Sequence, residues 1–161
     1  MRSSTDVQDA LTACGVEHEI VQLPSSSRTA RLAAGALGVP VSTVVKSLLF
    51  VADGRPVLAL VDGASTVDTG ALAHELGVGE VALARAREVR DLTGYKPGAV
   101  PPVGLATAVP VVADPAVFSP EVVYCGGGST TAMLRIRAAD LRELTEASIL
   151  RIAGPPATVG S

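Results

Sequence analysis

Lys46 stands inside VVKSLLFVADG, residues 44–54, a run that otherwise reads as buried strand. Lysine is among the residues least often fully buried, because taking an ammonium out of water is costly unless something offsets it. Side chains alternate along a strand. Val44, Lys46, Leu48 and Phe50 therefore share one face, and Val45, Ser47, Leu49 and Val51 the other. Two readings stay open from the pattern. The lysine, near the strand's start, snorkels to water, or it stands in a pocket as a cation for a phosphate or carbonyl oxygen.

Three further segments carry chemistry-bearing types. GYKPGAVPPVG, residues 94–104, combines prolines that restrict φ with glycines that admit unusual backbone geometry. Such a loop is either an ordinary rigid crossover or a frame that aims N–H groups at a substrate carbonyl. YCGGGSTTAML places Gly126, Gly127 and Gly128 before Ser129, where the backbone can approach a ligand closely or form a bulged hairpin. It matches no phosphate loop of the GxxxxGK[ST] type. Asp114 precedes Pro115 and serves either a site or a turn. Cys125 has no evident partner in His18 or His74, and Ser129 is equally unsupported as a nucleophile.

The elements that must hold these residues follow from period and punctuation. Thr5 and Gln8 fit a capping box for a first helix stopped by Gly15. HEIVQL reads as a strand, PSSS as a loop, and RTARLAAGALGVP as a helix ended by Gly38 and Pro40. TVVKSLLFVA and PVLALVDG around Asp53-Gly54 read as a hairpin. Asp68 caps a helix closing at Gly77, and REVRDLTG is a short helix ending at Gly94. AVPVVADP, EVVYCG and AMLRIRA read as strands, Asp140 caps a last helix, and SILRIA adds a strand. Hairpins mixed with helices give an α+β class, with a single domain over residues 1–153 and a flexible tail at 154–161.

The chain of 161 residues is 48% hydrophobic and 18% charged, which excludes a disordered polymer. Only Phe50, Tyr95, Phe118 and Tyr124 are aromatic, so the core is built from Val, Leu and Ala. A net charge of -3 argues against broad phosphate binding, though not against a local basic pocket. No apolar run nears the ~20 residues that span a bilayer, and the start lacks the apolar region of a signal peptide. Two cysteines and two histidines show no metal spacing and no disulfide framework. The expectation is a cytoplasmic protein with no metal and no cofactor.

Taken in order, TARLAAGALGVPVSTVVKSLLFVADGRPVLALVDG, LTGYKPGAVPPVGL, VPVVAD and GGGS resemble the YbaK/ProX family of aminoacyl-tRNA deacylases, over about residues 17 to 152. This family includes free-standing relatives of the editing domain inserted in bacterial prolyl-tRNA synthetases. The resemblance implies a YbaK-type mixed sheet curled into an open barrel with helices around it. It implies hydrolysis of the ester joining a wrong small amino acid, such as Cys or Ala, to tRNA, often the proline tRNA. Lys46 matches the lysine that holds the terminal-adenosine or phosphate end near the ester. Gly98 and Pro102 match the GxxxP loop, whose backbone amides position the carbonyl and the attacking water. Asp114 and the turn from Gly126 through Gly127 and Gly128 to Ser129 match positions lining the pocket, Thr29 matches a polar position at its mouth, and Ala99 is expected to bind substrate where the family often has a second glycine.

The implied mechanism uses no side-chain nucleophile. The implied partners are the acceptor end of aminoacyl-tRNA and prolyl-tRNA synthetase, with neither membrane nor DNA. The sequence departs from the family where Ala99 replaces a second loop glycine, at Pro101, and where STTAML replaces basic residues after the glycine turn. A module of the same fold that binds a tRNA end or nucleotide without catalysis is the alternative, and a hydrolase of small esters a third.

Overall fold

The computed structural model describes residues 1–24 and 29–156; residues 25–28, within the expected loop and helix start, and 157–161 lie outside it. Helix α1 (Ser4–Ala13) is capped by Ser3, whose N–H donates to the Asp6 carboxylate at 2.8 Å. The expected capping pair, Thr5 and Gln8, lies inside the helix instead. Strand β1 (His18–Gln22) leads to α2 (Ala30–Leu37), which starts at Thr29 and stops at Gly38 in the left-handed region, φ +71°. The hairpin of β2 (Val45–Ala52) and β3 (Arg55–Asp62) turns at Asp53 and Gly54, both at positive φ as a two-residue hairpin turn requires.

A short strand β4 (Ser65–Val67) precedes α3 (Thr69–Leu76), which Asp68 caps and Gly77 closes. β5 (Val81–Leu83) and α4 (Ala86–Thr93) follow, and a long loop leads to β6 (Val111–Ala113). The chain ends with β7 (Val122–Gly126), β8 (Ala132–Arg137), α5 (Ala138–Thr145), β9 (Ser148–Ile149) and β10 (Ala153–Pro156). Asp140 sits in the first turn of α5 rather than capping it, because β8 runs straight into the helix. The expected tail from residue 154 begins as strand: β10 pairs with β4.

Three sheets result, ordered β5-β2-β3-β6-β9, β1-β8-β7 and β10-β4. The five-stranded sheet is mixed, since β3, β6 and β9 run parallel and the rest antiparallel. The class is α+β as expected. Among the described residues no sheet closes on itself, and the expected open barrel is seen only as three separate sheets. No helix there is long and apolar enough to cross a membrane.

Alternation along β3 divides the core. Leu58 and Leu60 face α1 and the three-stranded sheet, with Val7, Leu11, Val123 and Leu134. Val57, Ala59 and Val61 face Phe50, Leu72 and Ile152. Each buried leucine contributes roughly 1.5–3 kcal/mol. A third cluster sets Ala30, Ala33 and Ala34 of α2 against Val44 and Met133, and these small residues bring α2 close to the start of β2.

Asp114, buried at the end of β6, is a structural clasp. Its carboxylate accepts from the N–H groups of Ile152 at 3.0 Å, Ala153 at 2.9 Å and Ala116 at 3.1 Å, tying the approach to β10 to the sheet. Asp114→Asn faces an NH2 group toward one of these donors, and the expected loss is about 1–3 kcal/mol. The denaturant midpoint should fall with the slope unchanged.

Candidate active site

Between the bridge from Val44 to Tyr124 of β7 and the pairing with β5, β2 has a short free stretch of edge. β5 pairs only with Phe50, Val51 and Ala52, while β3 covers the whole other side, with Lys46 opposite Val61. Around that edge lies a cavity of about 300 Å³ that brings together Lys46, Thr29 and Gly98. Lys46 is half-buried, and its ammonium has no ion pair or hydrogen bond among the described residues. Burial lowers its pKa from the ordinary lysine value, and the Asp62 carboxylate pulls it partly back. Asp62 itself accepts from the Ala64 N–H and the Ser65 hydroxyl, both at 2.9 Å. The lysine is therefore a cation facing an open space. Thr29 reaches the same space from the start of α2, its Oγ1 accepting from the Leu32 N–H at 3.1 Å.

The opposite wall is backbone. The Ala99 N–H donates to the Lys96 carbonyl at 3.0 Å, closing a turn with Pro97 second and Gly98, φ +85°, third. That is the type II pattern, which calls for glycine at the third position. Tyr95, fully buried, donates its hydroxyl to the Gly104 carbonyl at 2.8 Å. Ala106 and Thr107 return N–H bonds to Thr93 and Leu92, so both ends of the loop are tied. Gly98 and Val100 line the cavity, and neither N–H has a partner among the described residues. These are the candidate oxyanion donors.

Other residues marked in the sequence lie elsewhere. Ala99 commits its N–H to Lys96 and its carbonyl to the Gly128 N–H, and is buried outside the cavity lining. Pro102 has no N–H to give and lines a second cavity of about 280 Å³ beside Leu11 and Cys14. Asp114 does not line the first cavity; its oxygens serve the clasp described above. Gly127 donates to the Ala132 carbonyl at 3.1 Å, and the Ser129 hydroxyl meets Thr131 Oγ1 at 3.3 Å. Neither these two nor Gly128 borders the cavity, whereas Gly126 does.

Cys125 is fully buried, which pushes its thiol up to about 12, so it is not a thiolate at neutral pH. His18 bonds the Val16 carbonyl through Nδ1 at 2.8 Å. Sequence reasoning placed Ser47 only on the far face of β2, yet it lines the cavity together with Val100 and Met133. The available signal was a hydroxyl on an otherwise apolar face.

A pocket cation with a lowered pKa sets a pH dependence. Chemistry that needs protonated Lys46 should weaken on the alkaline side, with a midpoint below the ordinary lysine value of about 10.4. In Lys46→Arg that limb should move beyond the measurable range, since guanidinium stays charged. An alkaline limb identical in both proteins would overturn the assignment.

The sequence profile of the aminoacyl-tRNA editing domain family matches residues 25–144. The chain belongs to this family. The editing domain is 41% identical over 106 residues to a proline–tRNA ligase of Geobacter sp. (strain M21), covering 62% of this chain and 18% of the relative. It is 34% identical over 123 residues to the proline–tRNA ligase of Bacillus licheniformis, covering 74% of this chain and 22% of the relative. The chain thus spans less than a quarter of either synthetase. A solved chain provisionally described as a trans-editing enzyme for prolyl tRNA synthetase superposes with a TM-score of 0.88. It is 37% identical, and the match covers 94% of this chain and 96% of that one.

Proposed function

We propose that this editing domain is a trans-acting deacylase that hydrolyses the ester of mischarged tRNA, with proline tRNA carrying a small amino acid such as cysteine or alanine as its substrate class. The observation that carries the reading is the half-buried Lys46, without an ion pair among the described residues, in a cavity that Gly98 and Val100 also line, their N–H groups having no partner among those residues. Water adds to the ester carbonyl carbon, and the carbonyl oxygen becomes an oxyanion held by these donors. The C–O bond to the terminal ribose then breaks. The ribose oxygen takes the proton that water gives up, relayed by the neighbouring ribose hydroxyl. Free amino acid and uncharged tRNA leave.

No side chain forms a covalent bond in this scheme, and the inert state of Cys125 supports that. With a net charge of -3, the protein would hold tRNA mainly at its acceptor end, and a prolyl-tRNA synthetase partner would supply further grip.

A deacylation panel over tRNAs charged with Cys, Ala, Ser and Thr tests the reading, and no turnover of any of them would sink it. One observation favours a second reading, a module that holds the aminoacyl end without turnover: the Ala99 N–H is spent on Lys96, leaving two candidate donors in the loop. Tight binding of mischarged tRNA with no hydrolysis would select it.

A further inference from the structure

Arg2 lies just before α1 and against the loop of the candidate donors. Its N–H donates to the Gly94 carbonyl at 2.8 Å, and its Nη1 donates to the Gly104 carbonyl at 3.4 Å. These carbonyls belong to the first and last residues of segment 94–104, so one residue bonds both ends of the loop. The Arg2 stem rests on Gly94, where an added β-carbon would stand 3.0 Å from its Cγ and Cδ. The Tyr95 hydroxyl, which donates to the same Gly104 carbonyl, also feels Arg2. Burial raises the Tyr95 pKa, the guanidinium pulls it partly back through its charge and a hydrogen bond, and the Asp6 carboxylate adds to the rise.

The neighbouring backbone supports the loop from another side. A β-carbon at Gly128 would stand 2.8 Å from the Ser3 carbonyl carbon and from the Ser4 nitrogen, so this backbone is seated on the glycine turn. The Gly128 N–H in turn donates to the Ala99 carbonyl at 3.0 Å. Ala99 stands between Gly98 and Val100, the two candidate donors. Ser3 is itself held in the capping box with Asp6. Residues 2–4 thus meet the loop at both ends and, through Gly128, at its middle. Arg2 lines neither cavity, so its effect on a reacting carbonyl runs through the loop. The geometry points to Arg2 as a positioning residue: by joining Gly94 to Gly104 it holds the Gly98 and Val100 N–H groups where a developing oxyanion needs them. This assignment rests on the deacylase reading and deepens it.

Steady-state kinetics on the mischarged tRNA that the wild type turns over fastest test it. Arg2→Ala keeps the backbone bond to Gly94 and loses the guanidinium. Its kcat should fall about tenfold, less than the ~100-fold of a full 1 Å misplacement. KM should stay level, since losing an interaction made only in the transition state lowers kcat and kcat/KM alike. Arg2→Lys keeps a cation that can donate to Gly104 and should restore most of the rate. Arg137→Ala, which removes an exposed arginine paired with Glu17, is the control for charge and should keep the wild-type kcat. The thermal midpoint of Arg2→Ala should fall by no more than about 2–4 °C, the worth of one hydrogen bond.

An unchanged kcat in Arg2→Ala, or an equal fall in Arg137→Ala, overturns the Arg2 assignment and leaves the deacylase reading standing. A rise in KM alone shows that Arg2 grips the tRNA itself and overturns the assignment too. So does a lost rate that Arg2→Lys fails to restore, or a larger drop in midpoint, either of which marks a general loosening of the fold. A wild type that deacylates none of the charged tRNAs overturns both.

Discussion

Lys46→Ala is expected to slow deacylation by about 100-fold or more, the usual cost of removing one preorganised stabiliser of a developing oxyanion. The variant should fold as well as the wild type or better. Lys46 has no ion pair among the described residues, and its pKa is lowered chiefly by burial, so the folded protein disfavours its charged form. The unfolded chain then holds that proton more tightly than the folded one. Stability gains from its loss as pH rises from the lowered folded value toward the unfolded value of about 10.4. At neutral pH the charge works against folding, and alanine removes it. Steady-state rates and thermal midpoints on the same preparations decide the matter. Near-normal turnover, or a midpoint well below wild type, would show that the lysine is structural.

Gly126→Ala should be comparably severe by another route. A β-carbon there would stand 2.3 Å from the Val100 carbonyl oxygen, 2.9 Å from its carbonyl carbon and 3.3 Å from the Ala99 carbonyl carbon. These are backbone atoms of the loop that carries the candidate donors, so no side-chain rotation relieves the clash. Overpacking of this kind costs about 1–3 kcal/mol. Displacing the loop by about 1 Å would take a further ~100-fold from the rate. Gly35→Ala on α2 is the control: nothing lies within 4 Å of its added carbon, so it should be neutral or stabilising. Equal behaviour of the two variants would mean that the loop yields freely at residues 99 and 100.

Local chemistry made most elements legible. The β2–β3 hairpin was marked by Asp53-Gly54, α2 and α3 by glycine stops, and α4 by Gly94. β4 and β5 were not, since three residues are too few to show alternation. β10 was hidden because Gly154, Pro155 and Pro156 read as tail, and its partner β4 was itself unseen. The cap of α1 slipped because both Ser3 with Asp6 and Thr5 with Gln8 have the spacing of a capping box.

In the site, the order of motifs brought Thr29, Lys46 and Gly98 under suspicion, and these three share the cavity. Order could not tell which way a group faces. Asp114 turns its oxygens to neighbouring N–H groups, Ala99 spends both backbone groups in the loop, and Ser47 borders the cavity beside a free stretch of strand edge.

The three consecutive glycines have a bearing on how such a site can evolve. An added carbon at Gly126, Gly127 or Gly128 would stand 2.3, 2.6 or 2.8 Å from backbone already in place. Every coding change at these positions adds atoms where there is no room, so variation there can erase the activity but cannot retune it. Ala30, Ala33 and Val45 differ, since each lines the cavity and carries a side chain whose size can change. Divergence toward another amino acid would proceed through those three, leaving the glycine run as the fixed frame on which new specificities are tried.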